Sequence, residues 1–217
     1  MSIKAILLDL DGTILDTLDD LTDSVNFALK TLYFPTHSKE KIRSIVGNGV
    51  KNLISRALPP NSTDADFDKC LAEFKKHYEI NKTNKTAPYE GIINMLSELK
   101  QEGYKLAIVS NKHDDAVQGL FDMFFSEYVE YAIGNTDSLP KKPAPDMIDH
   151  TLDILGVAHN EAVYVGDSEV DIATAKNANL RCISVTWGFR DEDVLKDSGA
   201  DIIIHSPAEL TDTVKGL

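Results

Sequence analysis

Basic residues are in short supply in this chain: 22 Lys and Arg stand against 35 Asp and Glu, a formal net charge of -13. So acidic a surface gives no nonspecific grip on nucleic acid or on an anionic membrane, both of which attract basic surfaces. Cysteine is nearly missing. Cys70 and Cys182 stand far apart and outside any metal-type spacing, so they read as reduced, partly buried thiols of a cytoplasmic protein. No stretch approaches the ~18 consecutive apolar residues of a membrane span. The first apolar run opens so near Met1 that little room is left for a targeting segment. The six histidines show no ligand spacing, and there is no internal repeat or low-complexity segment. What remains is an ordinary globular composition, 42% apolar and 26% charged over 217 residues, enough for a sizeable core and a second small domain.

The run Ala5 to Leu8 reads as a strand buried on both faces, and it ends in two acids one residue apart, Asp9 and Asp11, then Gly12 and Thr13. Two like charges at close range disfavour joint ionisation, a cost that a bound divalent cation removes. The bland alternative is a polar turn with solvated acids. After Thr13 the pattern turns helical. A first helix carries Leu18, Leu21, Val25, Ala28, Leu29 and Leu32, with Thr17 as its cap and Pro35 as its stop. A second starts at Ser38 and breaks at Gly47-Asn48-Gly49. A third carries Val50, Leu53, Ile54 and Ala57, and a fourth starts near Thr63. Residues 16–85 are therefore expected to form an inserted helical lobe, with Asn81 to Thr86 as its return linker.

From Pro88 onward helix and strand alternate. Strands are expected at Lys105–Val109, near Tyr128–Ile133, and at Ala162–Val165, Cys182–Val185 and Asp201–Ile204. That order predicts an α/β fold, a parallel-sheet Rossmann-like core of residues 1–15 and 86–217 with an inserted α-helical cap domain at 16–85. In such sheets ligands bind beyond the carboxyl ends of the strands. Three strands here end in polar residues: Asp9 and Asp11; Ser110, Asn111 and Lys112; Asp167, with Ser168 beside it and Asp171 one turn on. Lys142 stands in a loop at the same edge. Acids plus a lysine suit Mg²⁺ and phosphate, because Mg²⁺ takes carboxylate, water and phosphate oxygens, and hydroxyls, N–H groups and an ammonium suit phosphoryl oxygens. A local lysine and a metal ion outweigh the global negative field.

These residues resemble the haloacid dehalogenase superfamily. Its first motif appears as Asp9-Leu10-Asp11-Gly12-Thr13 and its second as Ser110-Asn111-Lys112. Its third appears as Lys142-Pro143-Ala144-Pro145 and its fourth as Gly166-Asp167-Ser168-Glu169-Val170-Asp171, all in order. The resemblance implies that Asp9 is the nucleophile, forming an aspartyl-phosphate, and that Asp11 is the general acid and base. It implies Mg²⁺ held by the Asp9 carboxylate, the Asp11 backbone carbonyl and Asp167, with Asp171 orienting Lys142 or metal waters from behind. Ser110, Lys142 and the backbone N–H groups of Gly12 and Asn111 would hold the phosphoryl group. Lys142 is preferred over Lys141 because it directly precedes proline.

Dehalogenases of the family lack an acid at the position of Asp11, so its presence favours phosphoryl transfer. The fourth motif lacks the Glu-Asp pair of the mutase branch. Val46-Gly47-Asn48-Gly49-Val50, with Ser110-Asn111-Lys112, resembles the phosphoglycolate phosphatase branch, Asn48 contacting substrate. The expectation is a Mg²⁺-dependent phosphatase acting on small phosphorylated metabolites, 2-phosphoglycolate foremost, with no nucleic-acid or membrane partner, as a monomer or homodimer. The alternatives are a pyrophosphatase or sugar-phosphate mutase of the same family, or a phosphoacceptor signalling module. Gly47-Asn48-Gly49 is not a dinucleotide fingerprint, since Asn52 replaces the third glycine and no strand precedes it. Two points stay open: Lys112 either faces the leaving group or is solvated, and Trp187 to Arg190 either line the site or pack structurally.

Overall fold

The computed structural model describes residues 2–47 and 49–217. In chain order the elements are β1 (Ala5–Leu8), β2 (Leu15–Asp16), α1 (Leu18–Thr31), α2 (Lys39–Ile45), α3 (Val50–Ala57), α4 (Asp64–Asn81), β3 (Ala87–Pro88) and α5 (Ile92–Gln101). There follow β4 (Lys105–His113), α6 (Asp114–Phe124), β5 (Tyr131–Asn135), α7 (Asp146–Leu155), β6 (Ala162–Gly166) and α8 (Glu169–Asn177). The chain ends with β7 (Arg181–Val185), α9 (Glu192–Asp197), β8 (Ile202–Ile204) and α10 (Leu210–Lys215). It divides into two compact units, Met1–Ile14 with Pro88–Leu217, and Leu15–Ala87.

The first unit is built on a six-stranded sheet in the order β5-β4-β1-β6-β7-β8, Rossmann-like, and each neighbouring pair in it is parallel. β1, the first strand made, lies between strands made much later: Leu7 is registered against Ala107 of β4 and against Tyr164 of β6. Alternate residues of a strand face opposite sides. Ala5 and Leu7 enter a cluster with Met147, Ile148 and Leu152 of α7 and Ala175 of α8. Ile6 and Leu8 point to the other face and are equally inaccessible, so helices cover both sides. This is why β1 is a continuous apolar run rather than an alternating one.

The helical unit packs α1 along α4, with Phe27 stacked on His77 at 4.2 Å between centroids. Ser38 caps α2 and Thr63 caps α4, the latter in a reciprocal box with Asp66. Thr17 precedes α1, but its side chain makes no cap bond; the Asp16 carboxylate accepts from the Leu18 N–H at 3.2 Å instead. Pro35 does not end α1 either. The helix stops at Thr31, and the chain leaves through Tyr33 at φ +59°. The return linker is tied down: the buried Asp20 carboxylate accepts from the N–H groups of Lys85 and Thr86, at 3.0 and 2.8 Å. At the two ends of the unit, β2 and β3 pair with each other.

Two of the expected strands differ by more than one residue at an end. β4 runs on through Ser110, Asn111 and Lys112 to His113, with an irregularity in its pairing to β5 between Val109 and His113. β5 begins at Tyr131 rather than Tyr128, because Tyr128 and Val129 turn back onto the Phe125 carbonyl.

Candidate active site

β1, β4 and β6 are neighbours, so parallel pairing brings their carboxyl ends to one edge of the sheet. The Asp9 N–H donates to the Val165 carbonyl at 2.9 Å, which carries the ladder one residue past β1 and fixes Asp9 over the tip of β6. Ser110 is buried on β4, and Asp167 follows β6 directly. Asp171 is brought back by the first turn of α8, where its Oδ2 accepts from the N–H and Oγ of Ser168 at 3.1 and 2.6 Å. That capping box is a local consequence of Ser168 and Asp171 three residues apart.

Lys142 links these groups. Its Nζ donates to Asp9 Oδ1 at 2.7 Å, Asp171 Oδ1 at 2.8 Å and the Tyr164 hydroxyl at 2.8 Å, with the side chain 2% exposed. Its neighbour Lys141 is exposed. Burial works against the Lys142 ammonium, but the Asp171 and Asp9 carboxylates outweigh it and hold its pKa well above the ordinary range. Burial pushes the Asp9 carboxyl up to about 7, opposed by Lys142 and reinforced by Asp171. Asp167 is also held well above the carboxylate range, by burial and then by the charges of Asp171 and Asp9. Carboxyls so placed have too little positive charge around them.

The carboxylate oxygens of Asp9, Asp167 and Asp171 approach one another within 4.8 Å. Their chemistry fits a hard cation, since every donor is oxygen. The three do not contribute equally. Both oxygens of Asp171 are spent, one on Lys142 and Tyr164, the other on Ser168. Asp9 and Asp167 are thus the carboxylates suited to hold Mg²⁺, and Asp171 is suited to hold Lys142. Asp167 itself sits in a close backbone cradle. Thr13 Oγ1 donates to its Oδ1 at 3.3 Å and the Phe189 N–H to its Oδ2 at 2.7 Å. Gly12 has φ +91°, and a Cβ there or at Gly188 would strike the Asp167 side chain, so neither position has room for one. The Trp187 indole closes the loop by donating to the Thr13 carbonyl at 2.9 Å.

Asp11 turns its side chain elsewhere. Both its oxygens accept from Lys112 Nζ, at 2.8 and 2.9 Å, and the Lys112 side chain is 8% exposed. Asn111 donates from Nδ2 to the Lys142 carbonyl at 3.0 Å, while its Oδ1 is buried without a partner. The structure thus brings together Asp9, Lys142, Asp167 and Asp171, sets Ser110 and Asn111 on the adjoining strand end, and closes Gly12 against Asp167. The side chain of Asp11 lies outside the carboxylate cluster, paired with Lys112. Asn48 lies outside the described residues.

Sequence reasoning missed Tyr164, which also donates to the Val109 carbonyl at 3.0 Å. A hydroxyl in a strand buried on both faces needs a partner, and that signal was available. It left Trp187 to Arg190 open, and the structure brings this stretch to Asp167, Phe189 contributing a backbone N–H. Arg190, ion-paired to Glu169 at 2.7 Å, adds a positive charge that favours ionised Asp167.

Residues 6–185 match the family model for haloacid dehalogenase-like hydrolases. The phosphoglycolate phosphatase of Mesorhizobium japonicum is 34% identical over 212 residues, covering 96% of this chain and 93% of that protein. The phosphoglycolate phosphatase of Aquifex aeolicus is 32% identical over 208 residues, covering 95% and 94%. Among solved structures, a protein of Lactobacillus delbrueckii subsp. bulgaricus superposes over all of both chains with a TM-score of 0.95 at 35% identity. CbbY of Rhodobacter sphaeroides, solved in complex with phosphate, superposes over 99% and 100% with a TM-score of 0.74 at 27% identity. No helix among the described residues is long and apolar enough to cross a membrane. With its acids gathered at the tips of adjacent parallel strands and relatives matched along nearly its whole length, the chain belongs to the haloacid dehalogenase-like hydrolases, as one of their phosphatases.

Proposed function

We propose that the protein is a Mg²⁺-dependent phosphomonoester hydrolase that works through an aspartyl-phosphate on Asp9, with 2-phosphoglycolate as its foremost substrate. The observation that carries this reading is the buried arrangement of Asp9 and Asp167 beside the Asp171–Lys142 pair. Mg²⁺, held by Asp9, Asp167 and the Asp11 backbone carbonyl, would supply charge neutralisation for the phosphoryl group. The protein groups do the rest. Asp9 attacks phosphorus as an ionised carboxylate, and the Lys142 ammonium at 2.7 Å favours that form while standing where it can meet a phosphoryl oxygen. Ser110 and the N–H groups of Gly12 and Asn111 hold the remaining oxygens in line. Asp11 gives its proton to the leaving alcohol, then takes one from the water that cleaves the aspartyl-phosphate. Asp171, fixed by Ser168, keeps Lys142 in place. The helical unit, entered through β2 and left through β3, corresponds to the cap domain that the family resemblance implies. The names of the relatives, at 30–34% identity across nearly the whole chain, support the choice of substrate.

Hydrolysis of para-nitrophenyl phosphate with Mg²⁺ tests the reading. Many turnovers per protein are expected, and Asp9→Asn abolishes them while its circular dichroism and melting stay native-like. A single stoichiometric burst would point to a phosphoacceptor module instead, and turnover retained in Asp9→Asn would remove Asp9 as nucleophile.

A further inference from the structure

We infer that Lys112 selects the leaving group: its ammonium receives a carboxylate carried one carbon from the ester oxygen. The inference rests on the hydrolase reading above and deepens it. Two ammonium groups occupy separate stations in this site. Lys142 serves Asp9, where phosphorus is attacked, and Lys112 serves Asp11, where the alcohol departs. A group that protonates the ester oxygen must touch it. A cation bonded to both oxygens of that same carboxyl therefore lies beside the substituents of the ester carbon. With its side chain 8% exposed, Lys112 is largely removed from water, so its attraction for an anion is little screened. A leaving alcohol that brings a carboxylate is compensated there, and a neutral one is not.

The placement is built rather than incidental. The apolar run of β4 ends at Val109, yet the strand continues, and its pairing irregularity between Val109 and His113 re-aims the side chains that follow. Gly134 on β5 permits this. A Cβ there would fall 2.7 Å from the Lys112 carbonyl and 2.6 Å from Asp114 Cα. The Gly134 N–H instead donates to Asp114 Oδ1 at 2.7 Å, and Gln118 Nε2 donates to the same oxygen at 3.2 Å. These contacts of Gly134, Asp114 and Gln118 fix the backbone at the end of β4 that carries Lys112.

The test compares kcat/KM for 2-phosphoglycolate and for ethyl phosphate, which has a methyl group where the carboxylate would be. Wild-type protein is expected to prefer 2-phosphoglycolate. Lys112→Met and Lys112→Gln lower that preference about 10- to 100-fold, the worth of one charge-assisted hydrogen bond, and Lys112→Arg retains part of it. Equal losses on both esters would make Lys112 only a support for Asp11 and overturn the inference. The wild-type ratio decides without any variant: turnover of both esters with no preference overturns this inference and leaves the hydrolase reading standing. No turnover of either ester, or of para-nitrophenyl phosphate, overturns both.

Discussion

Replacing Lys142 with methionine removes one positive charge from a site that holds at least three acids, and the structure sets the size of the effect. The ammonium donates to Asp9, Asp171 and Tyr164 at 2.7, 2.8 and 2.8 Å, and all four groups are buried. Removing one partner of a buried charge pair costs about 3–5 kcal/mol, because the other charge is left uncompensated. For a chain of this length, that lowers the melting temperature of metal-free protein by roughly 6–20 °C. Asp9 also loses the influence that opposes burial, so its pKa climbs beyond about 7. Asp9, the proposed nucleophile, is then ionised only at more alkaline pH, and the ascending limb of the rate profile is expected to move up with it. Loss of one stabilising donor at the phosphoryl group costs on the order of 10²–10³ in kcat. The assay pairs thermal melts, with and without Mg²⁺, with kcat/KM against pH. Mg²⁺ restores part of the stability, as a second cation beside Asp9. Lys141→Met, at the exposed neighbour, is expected to shift stability by no more than about 0.5 kcal/mol. A Lys142→Met protein that melts like wild type without Mg²⁺ and keeps its rate profile would refute the reasoning.

Other outcomes follow from particular contacts. Asp9 and Asp167 have raised pKa values in the folded protein, so between the ordinary carboxylate range and about 7 the folded state holds more protons than the unfolded one. Metal-free stability therefore falls as pH rises through that window. Mg²⁺ favours the ionised carboxyls, so its increment in melting temperature should be larger near pH 8 than near pH 5; a larger increment on the acid side would contradict this. Asp11→Asn should slow alkyl phosphates about 10²-fold more than para-nitrophenyl phosphate, since only the poor leaving group needs a proton; equal losses would argue against the acid role. Asp20→Ala strands the amides of Lys85 and Thr86 and should cost about 1.5–3 kcal/mol, read by denaturant melts and by amide exchange in the return linker. Unchanged exchange there would show the linker to be held by something else.

Much of the sheet was legible because apolar runs such as Ala5–Leu8 and Ala162–Val165 have no other stable home than a strand covered on both faces. The gathering of Asp9, Asp167 and Asp171 was legible too, since parallel strands necessarily end at a common edge. The extension of β4 was not. Ser110, Asn111 and Lys112 look like loop residues, and what keeps them extended is Gly134, distant in sequence. Tyr164 was legible in principle, as a hydroxyl among apolar neighbours that needs a partner. The amide of Phe189 was invisible for a deeper reason, since a backbone N–H belongs to every residue but proline, and its position is set by the tertiary path alone. Thr17 had the right identity and position for a helix cap, but Asp16 could reach the Leu18 amide and took the bond.

The pairing of β2 with β3 has a consequence for how such a chain diversifies. It brings the two ends of the helical insertion side by side. Asp9 and Asp11 precede the insertion, while Ser110, Lys142 and Asp167 follow it. A different lobe of any length could be spliced between Asp16 and Ala87 without altering the spacing of a strand in the six-stranded sheet. The lobe can thus be exchanged as a cassette, while the residues proposed to cleave the ester are inherited intact.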